Sequence, residues 1–166
     1  STILTGVDYA YGLVFFGDSP NGLAKNNVFS SSLTALSSAT IYVTAGSQSG
    51  FSADYNDYHS SGTGNTAFWD STVCVLPYWT GVGCPSQDAN SIAVDPLWAS
   101  TAAGAEDFHP RSMVGRYNAA ADNMSNVDGA HSPTIDSGDP AEAYASETAP
   151  NGATVNQGSY GNTAPA

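Results

Sequence analysis

The sequence predicts an all-β fold of the solenoid kind, closed by an irregular C-terminal cap. Three observations carry this. The first is a self-match at one offset: Val14 and Phe16 recur as Ile41 and Val43, and Asn27, Val28 and Phe29 recur as Asp54, Tyr55 and Asn56, each 27 positions on (41 − 14, 54 − 27). Self-similarity with a period of about 20–50 residues is the signature of a stacked array. The second is that each period holds a short β-rich run, LVFF at 13–16 and TIYV at 40–43, between Gly, Ser, Asn and Asp corners. The third is that no long segment shows the apolar spacing of an amphipathic helix.

Taken in order, residues 1–60 are expected to form about two coils, and 60–65 to be a Gly/Ser/Thr turn. Residues 1–110 make up the coiled body, with a loop insertion at about 67–90. Strand character returns at 91–94 (SIAV) and ends at Asp95-Pro96, because proline lacks the N–H that the next rung needs. Residues 111–166 read as cap and tail. They include a short Ala-rich helix at 118–123 and a Pro- and Gly-punctuated stretch from Ser132 onward. A cap is expected because an open solenoid end presents unpaired backbone and core. Asn26, Asn27 and Asn56 fall at corners, where asparagine takes the left-handed conformation and bonds its neighbours.

Composition restricts the partners. The 166 residues hold 3 Lys plus Arg against 15 Asp plus Glu, a formal net charge of −12. Phosphate backbones are bound by Lys and Arg, so nucleic acid is excluded as a partner class. No run of about 18 apolar residues occurs, so no helical membrane insertion is expected. The surface, rich in Gly, Ser, Thr, Asn and Ala, resembles that of secreted and cell-surface β proteins, and an extracellular or cell-surface location is expected. The chain opens on Ser1 without a basic and apolar leader, which reads as a piece excised from a longer protein. Cys74 and Cys84 bracket a Pro- and Gly-bearing stretch and are expected to form a disulfide closing that loop.

Several segments in fixed order carry a family resemblance: ADYNDY at 53–58, NSIAVDPL at 90–97, DFHP at 107–110, SPTIDSGDP at 132–140 and PNGATVNQGSYGNT at 150–163. Together they resemble the C-terminal part of secreted bacterial right-handed parallel β-helix proteins of the pectate-lyase-like superfamily. The resemblance implies a right-handed parallel β-helix over most of the chain. It leaves activity open, because the family includes polysaccharide lyases, glycosidases, adhesins and surface proteins. His109-Pro110 departs from the family's His-Leu.

Candidate sites follow from residue chemistry. Asp54, Asn56 and Asp57 offer the oxygen ligands that Ca²⁺ takes; corner hydrogen bonding in a polar turn is the plainer reading of the same residues. Asp136, Asp139 and Glu142 raise the same pair of readings. A lyase acting on uronates needs a base and a cation, and His109 with Arg111 and Arg116 is the one basic grouping available; ion pairing that pins the cap is the alternative. Tyr55, Tyr58, Trp69, Tyr78 and Trp79 would suit stacking on a glycan, or packing of their loop onto the body. His59, His109 and His131 lie too far apart in sequence to make a metal motif.

The resulting expectation is a non-catalytic extracellular segment of structural or adhesive kind. The alternatives are a fragment of a carbohydrate-active enzyme, lyase or glycoside hydrolase, and a glycan-binding module. The β pattern begins at Ile3, Leu4, Val7, Tyr9, Tyr11 and Leu13 with nothing like a cap before it. Further copies of the chain, or upstream coils, are therefore the partners expected at that end.

Overall fold

Among the described residues of the computed structural model, thirteen short strands form five separate sheets. The structure describes residues 2–4 (backbone only), 10–32, 38–62, 65–118, 120–149 and 151–166. The strands are β1 (Thr2–Leu4), β2 (Tyr11–Phe15), β3 (Leu23–Lys25), β4 (Val28–Ser31), β5 (Ala39–Val43), β6 (Ser52–Asp54), β7 (Asp57–Ser60), β8 (Thr66–Trp69), β9 (Thr72–Val75), β10 (Trp98–Ser100), β11 (Asp107–Pro110), β12 (Arg116–Asn118) and β13 (Asn123–Asn126). One 3₁₀ turn, Ala45–Ser47, is the only helical element among the described residues. Sheet orders are β1-β4-β7, β2-β5-β8-β9, β3-β6, β10-β11 and β12-β13.

The all-β expectation stands, but the right-handed parallel β-helix does not. Parallel ladders are small and confined to the strands before Asp70, and β8-β9, β10-β11 and β12-β13 all pair antiparallel. The offset between partners also drifts. It is 27 for Thr2 and Phe29, 28 for Leu13 and Ile41, 29 for Val28 and Asp57, and 26 for Ile41 and Ala67. Stacking of equal repeats needs a constant period, and no sheet here closes or continues as a solenoid. The likeness to parallel β-helix proteins is therefore withdrawn.

The expected rungs fail for the same reason. Val14 stands opposite Tyr42 and not Ile41, and Val28 opposite Asp57 and not Tyr55. A one-residue slip moves a side chain to the other face of a strand: Ile41 is fully buried, whereas Val14 is 43% exposed. The short helix expected at 118–123 is also absent. Asn118 Oδ1 accepts from the N–H groups of Ala120 and Ala121, and the chain turns there from β12 into β13. Among the residues expected at an open N-terminal edge, Val7 and Tyr9 lie outside the described residues, while Ile3 pairs with Ser30.

The core lies inside the first half of the chain. Ala24, Phe29, Ile41, Val43, Phe51, Ala53, Tyr58, Ala67, Cys74, Leu76 and Trp79 bury one another, with Leu13, Phe15 and Trp69 packed alongside. Register brings one pair of rings face to face: Phe29 pairs with Tyr58, and their rings stack at 5.3 Å and 5°. The expected Cys74–Cys84 disulfide is present, with Cα atoms 5.8 Å apart. It closes the loop that tucks Leu76 and Trp79 into this core. Reduction should lower unfolding free energy by about 3 kcal/mol, the entropy of closing such a loop. Urea unfolding of Cys74→Ser/Cys84→Ser against the parent measures this.

The C-terminal stretch is tied back to the early strands by polar contacts. Asn26, in the left-handed conformation at φ 57°, accepts at Oδ1 from the Asp139 N–H (2.8 Å) and at its carbonyl from the Gly158 N–H (2.8 Å). Gly138 fits only as glycine: a Cβ there would stand 2.7 Å from the Val155 carbonyl oxygen and 2.6 Å from Val155 Cγ1. Gln157 Nε2 donates to the carbonyls of Tyr55 (2.9 Å) and Ser137 (3.1 Å). Lys25 reaches Asp139 at 2.8 Å and Glu142 at 3.2 Å.

Candidate functional site

Most of the expected site residues are spent on holding the fold. Tyr58 and Trp79 are 1% exposed, and both aim their polar tips at one buried carboxylate, Asp88. Tyr58 OH donates to Asp88 Oδ2 at 2.8 Å and Trp79 Nε1 to the same oxygen at 2.5 Å. Asn56 Nδ2 (2.9 Å) and Ser91 Oγ (2.6 Å) donate to Oδ1. Burial, and then the Asp88 charge, push the Tyr58 phenol well above its ordinary pKa. Trp69 packs edge-on against Trp79 at 5.8 Å, Tyr55 is half-buried, and only Tyr78 is largely exposed. The five aromatics thus form no common platform.

The oxygen cluster is likewise divided. Asp54 accepts from Asn90, at Oδ1 from the backbone N–H and at Oδ2 from Nδ2, both at 2.8 Å. Asn56 is fully buried; it also takes a hydrogen bond from Asn27 Nδ2 at 3.0 Å. Asp57 is fully buried, with Oδ1 accepting from the Val94 N–H at 3.0 Å and Oδ2 without a partner among the described residues. Burial, with the Asp95 charge adding to it, raises the Asp57 pKa to about 7. Among the described residues no three His, Cys, Asp or Glu side chains converge to hold a metal ion.

The basic grouping is split as well. His109 Nδ1 meets Asp107 Oδ1 at 2.5 Å, and Arg116 bridges Asp107 and Asp128 at 3.0 Å each. Among the described residues Arg111 joins neither ion pair, although, after the Arg116 hydrogen bond, its charge helps to hold the Asp128 carboxyl below its ordinary pKa. The Arg111 N–H donates to the Leu97 carbonyl (2.9 Å) and its carbonyl accepts from the Ser132 N–H (2.8 Å), which fixes the root of an exposed side chain.

Arg111 also lines a polar groove of about 430 Å³ that sequence patterns did not mark. Ser30 on β4 and His59 on β7 are paired positions, so their side chains stand side by side on the wall. The Ser61 N–H donates to the Ser31 carbonyl at 2.9 Å and holds the rim. Asp95, Leu97, Trp98 and Thr101 line it too, and Asp95 Oδ1 fixes the turn there by accepting from the Leu97 N–H at 2.9 Å. Of the three cations in the chain, Lys25 and Arg116 are in ion pairs. Among the described residues Arg111 is in none. A groove of this size, with few charged groups among hydroxyls, suits a small or linear polar ligand. Its residues come from distant segments, and only the pairing of β4 with β7 would have flagged Ser30 and His59 together.

No protein-family model, no curated protein and no solved structure matches the chain. The resemblance to the pectate-lyase-like superfamily therefore has no support from either the comparisons or the fold.

Proposed function

We propose that the chain is an extracellular module of adhesive kind that recognises a glycan through the groove of His59, Asp95 and Arg111. The observation that carries this reading is the groove itself. Serine and threonine hydroxyls, an imidazole, a carboxylate and Arg111, which is in no ion pair among the described residues, line a single concave surface. Saccharide hydroxyls both donate and accept, and this mixed set matches them group for group. A disulfide belongs to oxidising compartments, which supports an extracellular setting. No helix among the described residues is long and apolar enough to cross a membrane.

Arg111→Ala and Asp95→Ala are each expected to weaken retention on a panel of neutral and acidic glycans at least tenfold (about 1.4 kcal/mol), with near-UV circular dichroism unchanged. Retention that is absent for the parent at millimolar glycan, or untouched by both changes, overturns the reading. The polysaccharides are expected to be recovered uncut. New reducing ends lost in Arg111→Ala would replace binding with catalysis at the same groove.

A further inference from the structure

Tyr78 carries a side chain that the core does not use. It sits in the turn between Val75 and Thr80, which bridge each other through two backbone hydrogen bonds at 2.9 and 3.0 Å. Within that turn Leu76 and Trp79 go inward, at 6% and 1% exposure, and Tyr78 goes outward, at 52%. Tyr78 and Trp79 both hold left-handed backbone, at φ 74° and 47°, which residues with a Cβ adopt only at a cost. For Trp79 the buried indole and its hydrogen bond to Asp88 offset that cost. Tyr78 gains no such anchor, since more than half of it stays in water. The Cys74–Cys84 disulfide closes the same loop, so the backbone that carries the ring is held in place before any ligand arrives.

The ring borders a surface pocket of about 420 Å³, formed where β6 runs beside residues 86–89. Ser52 and Ser86 bring exposed hydroxyls to it, and Asp54 and Asp88 bring two carboxylates. Asp88 is buried, and its oxygens take four hydrogen bonds from within the fold. Gln87 spends its amide on the Ala53 N–H (2.9 Å) and the Phe51 carbonyl (3.4 Å). Asp54 is half-buried, and its Oδ2 accepts one hydrogen bond, from Asn90 Nδ2 at 2.8 Å, which leaves a lone pair for a second donor. No cation is on the lining.

We infer that this pocket is a second binding site, in which Tyr78 stacks on the C–H face of a neutral pyranose while Asp54, Ser52 and Ser86 take its hydroxyls. A pyranose has a face rich in C–H and a rim of O–H groups. The negative face of an aromatic ring attracts the first. A carboxylate, which only accepts, and hydroxyls, which do both, suit the second. Two carboxylates without a cation repel a uronate or a sulfated sugar. A quaternary ammonium ion is held by a cage of rings, and this pocket offers a single one. The pocket and the groove share no lining residue, so each stands or falls without the other.

NMR of the full chain with ¹³C-labelled tyrosine rings tests the site; the resonance missing from Tyr78→Phe is that of Tyr78. It is expected to shift saturably with at least one of the methyl glycosides of glucose, galactose and N-acetylglucosamine. Methyl glucuronide and tetramethylammonium chloride at the same concentration should leave it in place. Affinity for the glycoside, read from saturation transfer to its ring protons, should change little in Tyr78→Phe, which keeps the ring, and fall about tenfold in Tyr78→Ala. Ser86→Trp, at an exposed position of the lining, should abolish the shift. Arg111→Ala should preserve it while removing glycan retention at the groove. No saturable shift with any neutral glycoside, an equal shift with the glucuronide or the ammonium ion, or unchanged affinity in Tyr78→Ala overturns the inference. A shift that survives Ser86→Trp, or one lost in Arg111→Ala, overturns it too.

Discussion

Asp88→Ala is expected to cost on the order of 3–5 kcal/mol, enough to unfold much of a domain of ordinary stability. The carboxylate is 1% exposed and takes four hydrogen bonds, from Asn56, Ser91, Tyr58 and Trp79. Each donor is itself buried or part of the core, so removing the acceptor strands four donors at once. Asp88→Asn should fare little better, because its amide nitrogen would face two of those donors. Trp79→Phe, which removes one donor and keeps most of the ring, should cost markedly less. Urea unfolding of the three variants checks the order. A loss below about 1 kcal/mol for Asp88→Ala, the size of one ordinary hydrogen bond, would show that the donors find other partners.

Asp57→Asn is expected to act in the opposite direction and only above acidic pH. The folded pKa of about 7 lies above the 3.8 of a free aspartate carboxyl. A carboxyl with a raised folded pKa takes up a proton on folding. Its contribution is therefore fully present below about pH 4 and is lost as pH rises toward 7. At pH 8 the parent carries a buried charge with one oxygen unpartnered among the described residues, and the asparagine does not. The variant should be more stable by on the order of 2–4 kcal/mol at pH 8, following the shift at about 1.4 kcal/mol per pH unit, and equal to the parent near pH 4. Denaturant midpoints for both proteins between pH 4 and pH 8 measure the difference. Parallel curves would show that Asp57 ionises freely in the fold. Asp107, Asp128 and Asp139 have lowered pKa values and act in the other sense, at the acid end, so the comparison with the variant is what isolates Asp57.

Some of this was legible in the sequence. The β-rich runs and polar corners gave the all-β class, and the loop around Pro77 and Gly81 gave the disulfide, because both depend on neighbours along the chain. Register was not legible. The self-match at 27 paired Val14 with Ile41, yet the ladder puts Leu13 there, since burial of alternate side chains, and not residue similarity, decides which positions face each other. The aromatics suit stacking on a glycan or packing of their loop onto the body, and Tyr58 and Trp79 carry polar tips whose partners decide between the two. Those tips are satisfied by Asp88, 30 and 9 positions away, in a stretch that reads as an ordinary turn. His59, Asp95 and Arg111 share no spacing, so nothing short of the strand pairing brings them to one groove.

The ties at Asn26 bear on the order in which the molecule can be assembled. Its side-chain oxygen is matched to a partner 113 positions later, and the neighbouring Tyr55 carbonyl to one 102 positions later. The ladders join residues fewer than thirty positions apart and can form early. These ties need nearly the whole chain, and joining such distant points carries a closure entropy that grows with the logarithm of the span. Separation of this kind slows folding more than it weakens the final state. During synthesis the corner at Asn26 would wait, its carbonyl and amide facing water, until the residues around Asp139 and Gly158 had emerged. A cut made in that interval would leave strands that are complete in themselves beside a corner that nothing closes.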